Sequence, residues 1–210
     1  MARRKVAQRE AVRRRDRKAL LVAGSLVFLL LMLAGSYRML LGPAPAPAIG
    51  GPFSLRDADG VPRTDSSFRG RYMLIFFGYT QCKDVCPHAL TEMSEALNRV
   101  DPLASRIQPL FITVDPARDT PAALRRYVAA FSPYLIGLTG TNVQLTEVWR
   151  DFHVIVQPVS LTNGEEDLDH SAALYLMDPA GRFLAPIAAT ASRSVMQATL
   201  QRYVHLPVPG

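Results

Sequence analysis

This chain of 210 residues is poor in several things at once: it has two cysteines, four histidines and one tryptophan, and 8% of it is aromatic. Two cysteines exclude a disulfide scaffold of the kind that holds small secreted domains together. They stand four positions apart, as Cys82 and Cys86, a spacing suited to a reactive or metal-binding pair. Positive charge is also scarce once the first 18 residues are set aside. That segment holds nine Lys or Arg against Glu10 and Asp16, a local +7. The remaining 192 residues carry 15 basic and 16 acidic groups, a net of −1. The formal +6 of the whole chain thus belongs to a tail. A nucleic-acid-binding domain should carry basic charge on its folded part, so a nucleic-acid partner is not expected. A hydrophobic fraction of 49% excludes a disordered or fibrous chain and leaves room for one packed domain.

Charge is missing altogether from Ala19 to Ser36, an 18-residue run (ALLVAGSLVFLLLMLAGS), and apolar character resumes at Met39–Leu41. About 20 apolar residues span a bilayer core as a helix. Residues 19–41 are therefore read as a single transmembrane anchor, with Arg38 snorkelling to the far interface. The basic tail, 1–18, stays on the cytoplasmic side by the positive-inside rule, and the rest is exported, most simply into a bacterial periplasm. A cleavable signal peptide is the competing reading, but its apolar core would be shorter. Residues 42–52 (GPAPAPAIGGP) read as an extended, semi-rigid linker, and 53–210 as the exported domain.

Within that domain, Tyr72–Phe77 (YMLIFF) is wholly apolar and bounded by glycines, the pattern of a strand buried on both faces. Pro87 predicts a helix start, with Leu90, Met93, Leu97 and Val100 recurring at helical spacing. Gln108–Val114 reads as a second buried strand, and Asp119-Thr120-Pro121 as a helix start. Tyr134–Leu138 and Phe152–Val156 suggest further strands, with a helix at Asn142–Asp151 between them. A polar loop at Leu161–Asp167, a hairpin of Ala172–Met177 and Arg182–Pro186, and a closing helix over 190–204 complete the reading. The alternation implies an α/β domain, a central mixed sheet flanked by helices. A cysteine pair between a buried strand and a helix suggests the thioredoxin-like variety.

The chemistry concentrates in Gly78-Tyr79-Thr80-Gln81-Cys82-Lys83-Asp84-Val85-Cys86-Pro87. A structural disulfide closing so short a loop would restrain little chain entropy. A helix N-terminus and Lys83 should both lower the thiol pKa values and favour thiolates. Those suit either disulfide exchange or a soft metal, and the three-residue spacing leaves room for an ion between the sulfurs. Metal site, redox couple and structural disulfide all remain open on these residues alone. His170, between an acidic loop and an apolar strand, is the candidate third ligand. His88 is read as solvent-facing, His153 as a strand residue, and His205 as uninformative. Asp115 and Asp119 could serve as extra ligands or proton carriers, but a turn and a helix cap are the stronger reading, with Thr120 the other candidate for the cap.

Several ordered motifs together make the chain resemble the Sco/SenC copper proteins, from about residue 53 to 204. They are Phe68-Arg69-Gly70, Phe77-Gly78-Tyr79-Thr80, Cys82 to Pro87, Asp115-Pro116-Ala117-Arg118-Asp119-Thr120-Pro121, Gly137-Leu138-Thr139-Gly140, and Asp169-His170-Ser171 with Tyr175-Leu176-Met177-Asp178. The resemblance implies a thioredoxin-like fold and a copper site, Cu(I) or Cu(II), made by Cys82, Cys86 and His170. It implies a metallochaperone, not an enzyme, serving cytochrome c oxidase assembly, with oxidase subunit II or a similar respiratory subunit as partner. A thiol–disulfide reductase that keeps the acceptor's cysteines reduced is the alternative. Gln81 stands where many members have His, and Lys83 where many have Pro; neither is an implied ligand.

Overall fold

The structure, a computed structural model, describes residues 21, 23–37, 48–160 and 166–204; the side chains of 160, 166, 167 and 170 are not among the described atoms. The chain divides into two units, residues 1–47 and 48–210. In the first, residue 21 and residues 23–37 are helical. Among the described residues no helix is long and apolar enough to cross a membrane. The predicted anchor extends past them, since 19, 20, 22 and 38–41 lie outside the described residues, as do the basic tail and most of the linker.

The second unit is built on a seven-stranded mixed sheet. Its strands are β1 (Ser54–Asp57), β2 (Pro62–Thr64), β3 (Tyr72–Gly78), β4 (Ile107–Thr113), β5 (Ile136–Thr139), β8 (Ala173–Met177) and β9 (Phe183–Ala188), in the order β2-β1-β5-β4-β3-β8-β9. β3, β4 and β5 run parallel, with β1 antiparallel to β5 and β8 antiparallel to β3. A separate antiparallel pair is formed by β6 (Val156–Ser160) and β7 (Glu166–His170). The helices are α1 (Val85–Val100), α2 (Pro121–Ala129), α3 (Asn142–Asp151) and α4 (Arg193–Tyr203), and a 3-10 turn covers Asp65–Phe68.

The apolar run in β3 explains the layering. Successive side chains of a strand point to opposite faces. Leu74 and Phe76 accordingly join a core with Leu90, Met93 and Leu97 of α1, Leu124 and Val128 of α2, and Met196 and Leu200 of α4. Met73, Ile75 and Phe77 join a second core with Phe68, Leu145 and Val148 of α3, and Phe152. With Leu74 to Phe77 all 0% exposed, β3 has no solvent face at all. Fully burying each such side chain contributes about 1.5–3 kcal/mol.

Two strand readings need correction. Phe152–Val156 is not a strand: Phe152 ends α3, His153 turns the chain with φ +55°, and the strand begins at Val156. The polar loop predicted at Leu161–Asp167 is shorter, because Glu166 is already paired with Ser160 in the β6–β7 ladder. The reason is that backbone pairing across a hairpin tolerates polar side chains, which apolar periodicity cannot register.

In open α/β sheets, sites form beyond the carboxyl ends of parallel strands. Here the β3 end leads into the cysteine segment and the β4 end into Val114–Thr120. The Val114 N–H donates to the Gly78 carbonyl at 2.8 Å, tying the two exits together.

Candidate metal centre

The helix after the cysteine segment starts at Val85, two residues earlier than Pro87 suggests, so Cys86 is its second residue. The first N–H groups of a helix lack intrahelical acceptors. Asp84 precedes the helix without a side-chain cap; the Cys82 sulfur takes over one such donor instead, accepting the Cys86 N–H at 3.4 Å. The Cys82 N–H in turn bonds the Tyr79 carbonyl at 3.3 Å. Both residues are present as thiols. Cys86 is fully buried within one core, whereas Cys82 is half-buried and packs at the margin of both. Gly78 makes room for this: a Cβ there would stand 2.8 Å from Cys86 Sγ and 3.0 Å from Phe111 Cε2.

The expectation of lowered thiol pKa values is overturned for Cys86. The adjacent Cys82 sulfur, followed by burial, pushes the Cys86 thiol well above its ordinary value. Proximity to a helix end does not offset the neighbouring sulfur and the apolar pocket. A cation bound there must therefore displace a proton, so capture is coupled to proton release.

The support beneath the cysteine segment is Asp119. It is 1% exposed, and its carboxylate accepts the Thr80 Oγ1 hydroxyl at 2.6 Å, the Thr80 N–H at 3.1 Å and the Thr113 Oγ1 hydroxyl at 2.6 Å. Burial pushes this carboxyl above its usual range, against the pull of those Thr113 and Thr80 hydrogen bonds. The helix-cap role falls to Thr120, whose side chain accepts the Ala123 N–H. Asp115 does form the expected turn, its carbonyl accepting Asp119 N–H at 2.9 Å, while its carboxylate holds Arg118. The Arg118 guanidinium lies 5.7 Å from the centre of the Tyr79 ring. The Thr80–Asp119 pairing is not legible in the sequence, because the partners are 39 positions apart and an Asp before Thr-Pro reads locally as a cap.

His170 is the last residue of β7, paired with Val156. The next residue donates its N–H to the Ile155 carbonyl at 3.1 Å. A cleft of about 270 Å³ is lined by Tyr79, Cys82, Lys83, Asp84 and Val85 of the cysteine segment together with Leu168, Asp169 and Ala172. The backbone on either side of His170 thus borders the cleft that Cys82 enters. The imidazole itself lies outside the described atoms. Among the described residues no group of three His, Cys, Asp or Glu side chains is placed to hold a metal ion. His88 is exposed, as read from sequence; His153 is exposed in a turn, and His205 lies outside the described residues. Two sulfurs with one imidazole would suit Cu(I), since thiolates select soft ions.

The family model described as SCO1/SenC matches residues 42–205. The human protein named SCO1 homolog, mitochondrial, is 41% identical over 141 residues, 66% of this chain and 47% of that protein. The chain spans about half the length of such relatives. The solved structure of ScoI from Bradyrhizobium japonicum with copper bound is 43% identical, covers 75% of this chain and 100% of its own, and superposes with a TM-score of 0.68. Yeast Sco1 with copper bound is 35% identical, covering 78% of this chain and 92% of its own, also at 0.68.

Proposed function

From the fact that this chain belongs to the SCO1/SenC family, we propose that it is a membrane-anchored copper chaperone that supplies copper to a cytochrome c oxidase during assembly, at the binuclear centre of subunit II. The observation that carries the reading is the pair of adjacent thiols, Cys82 and Cys86, with Cys82 lining a cleft that is also lined by Asp169 and Ala172, close in sequence to His170. Cys82 and Cys86 take the ion as thiolates and release their protons, with His170 as the third donor. Three ligands leave the ion open to attack by an acceptor thiol, which suits transfer better than storage. The uncharged run behind a basic tail supports an inner-membrane anchor with the N-terminus cytoplasmic and the 53–210 domain in the periplasm.

Competition titration of the reduced, purified chain with Cu(I) tests this. Wild type binds tightly, the Cys82→Ser, Cys86→Ser double variant does not, and wild-type affinity in that variant overturns the reading. Protease protection in spheroplasts checks the orientation: the 53–210 domain should be digested from outside.

A thiol–disulfide reductase is favoured by one observation, the asymmetry of the pair, with Cys82 half-exposed and Cys86 buried. The Cys82 thiolate would attack an acceptor disulfide, and Cys86 would resolve the mixed disulfide, leaving a reduced acceptor and an oxidised pair. That chemistry does not need His170. His170→Ala therefore separates the two: loss of oxidase assembly with exchange intact favours copper delivery, and full assembly favours the reductase.

A further inference from the structure

The buried carboxylate of Asp119 is costly to keep in an apolar setting, because a buried charge is stable only when its oxygens are well hydrogen-bonded. Its partners are divided between two segments. One Thr113 hydroxyl comes from the end of β4, and both donors of Thr80 come from the stretch that carries Cys82. The two cysteines differ in how they are held. Cys86 is fixed by α1 and by full burial against Gly78. Cys82, half-buried, precedes the helix; it follows Thr80 by two residues and closes a turn on Tyr79. The Thr80–Asp119 contacts are long-range hydrogen bonds that help secure this upstream limb.

We propose that Asp119 is a positioning residue for the dithiol: through Thr80 it clamps the Cys82 limb, setting how readily the Cys82 sulfur meets the Cys86 sulfur. Its carboxylate is thus read as a determinant of the pair's redox poise and ion affinity, acting through the backbone and not as a ligand. The consequence for copper rests on the copper reading above; the consequence for the dithiol does not. Freeing the limb lowers the effective concentration of one thiol at the other. The equilibrium in which the dithiol and oxidised glutathione give the intramolecular disulfide and two reduced glutathiones then shifts toward the dithiol. The same loss of preorganisation weakens a two-sulfur ion site.

The test uses the full-length chain, wild type and Asp119→Ala, Asp119→Asn and Thr80→Val, in glutathione redox buffers and in Cu(I) competition titration. Circular dichroism follows the fold of each. Asp119→Ala is expected to disfavour the disulfide roughly tenfold and to weaken Cu(I) binding by a similar factor, the equivalent of one charge-assisted hydrogen bond. Asp119→Asn keeps an oxygen for Thr80 and should stay within about threefold of wild type, since the Thr113 hydroxyl can accept from the new amide. A folded Asp119→Ala variant with wild-type glutathione equilibrium overturns the proposal, as does a shift toward the disulfide. If Asp119→Ala does not fold, Thr80→Val decides, because it deletes the 2.6 Å bond alone; wild-type behaviour there overturns the proposal equally. Should wild type itself fail to bind Cu(I), the copper reading falls while the glutathione measurement still judges Asp119.

Discussion

Replacing Gly78 by alanine places a methyl group where three buried side chains already meet. The new Cβ would lie 2.8 Å from Cys86 Sγ, 3.0 Å from Phe111 Cε2 and 3.2 Å from Phe76 Cε1. Ordinary contact begins at 3.4 Å, so restoring it takes a retreat of the sulfur by 0.6 Å, the difference between 3.4 and 2.8. All three neighbours are 0% exposed, and none can swing into solvent. Overpacking a tight core costs about 1–3 kcal/mol. Alanine in place of glycine in a strand returns about 0.5–1 kcal/mol. For a domain of this size each kcal/mol is worth about 2–4 °C, so melting falls by up to roughly 10 °C. Displacing one of the two sulfurs should also weaken Cu(I) binding by about tenfold. Gly137→Ala is the control: its Cβ would meet Leu124 Cγ at 2.7 Å, equally crowded but against α2. Calorimetry and Cu(I) competition should show both variants melting early and only Gly78→Ala binding copper poorly. Wild-type copper affinity in Gly78→Ala would refute the claim that this glycine seats the sulfur, and equal losses in both variants would show a general packing effect.

Asp101, at the end of α1, is governed first by burial, which raises its pKa, but the N–H groups of Arg106 and Ile107 and the donors of Ser105 outweigh it, leaving the carboxyl below its ordinary 3.8. A depressed folded pKa gives stability that is present above the unfolded value and lost as pH falls through the folded one. Asp101→Asn should therefore cost about 1–3 kcal/mol at neutral pH, with the gap to wild type closing below pH ~4 in urea titrations. Phe77→Ala removes a ring packed 5.4 Å from Phe152 and 5.5 Å from Tyr175 between centroids; a loss of about 3–5 kcal/mol in denaturant melts is expected, and one below 1 kcal/mol would contradict the two-core description.

Legibility in the sequence tracked how local the physics is. β3 and α1 could be read because a doubly buried strand and an amphipathic helix write their environments into neighbouring residues, as in Leu74–Phe77 and Leu90, Met93, Leu97. β1 and β2 could not, because Ser54–Asp57 and Pro62–Thr64 contain a single buried leucine between them and owe their strand state to pairing, β1 with β2 and β5 and β2 with β1. The same holds for Glu166–His170, which reads as an acidic loop yet pairs residue by residue with Val156–Ser160. At the site, Cys82 and Cys86 announce themselves by spacing. The raised Cys86 thiol and the Asp119 clamp do not, since both depend on groups the fold brings together from distant positions.

The unequal exposure of the two sulfurs gives the cleft a direction of traffic. With Cys86 sealed behind Gly78 and Phe111, an incoming or departing molecule reaches Cys82 first and last. In the proposed exchange of an ion or an electron pair, Cys82 is the doorway among the described residues, and the inner sulfur serves as the latch behind it. On the proposed reading a docking protein would need to recognise only the rim around Cys82, which leaves the interior free to be tuned for grip without altering the face it presents.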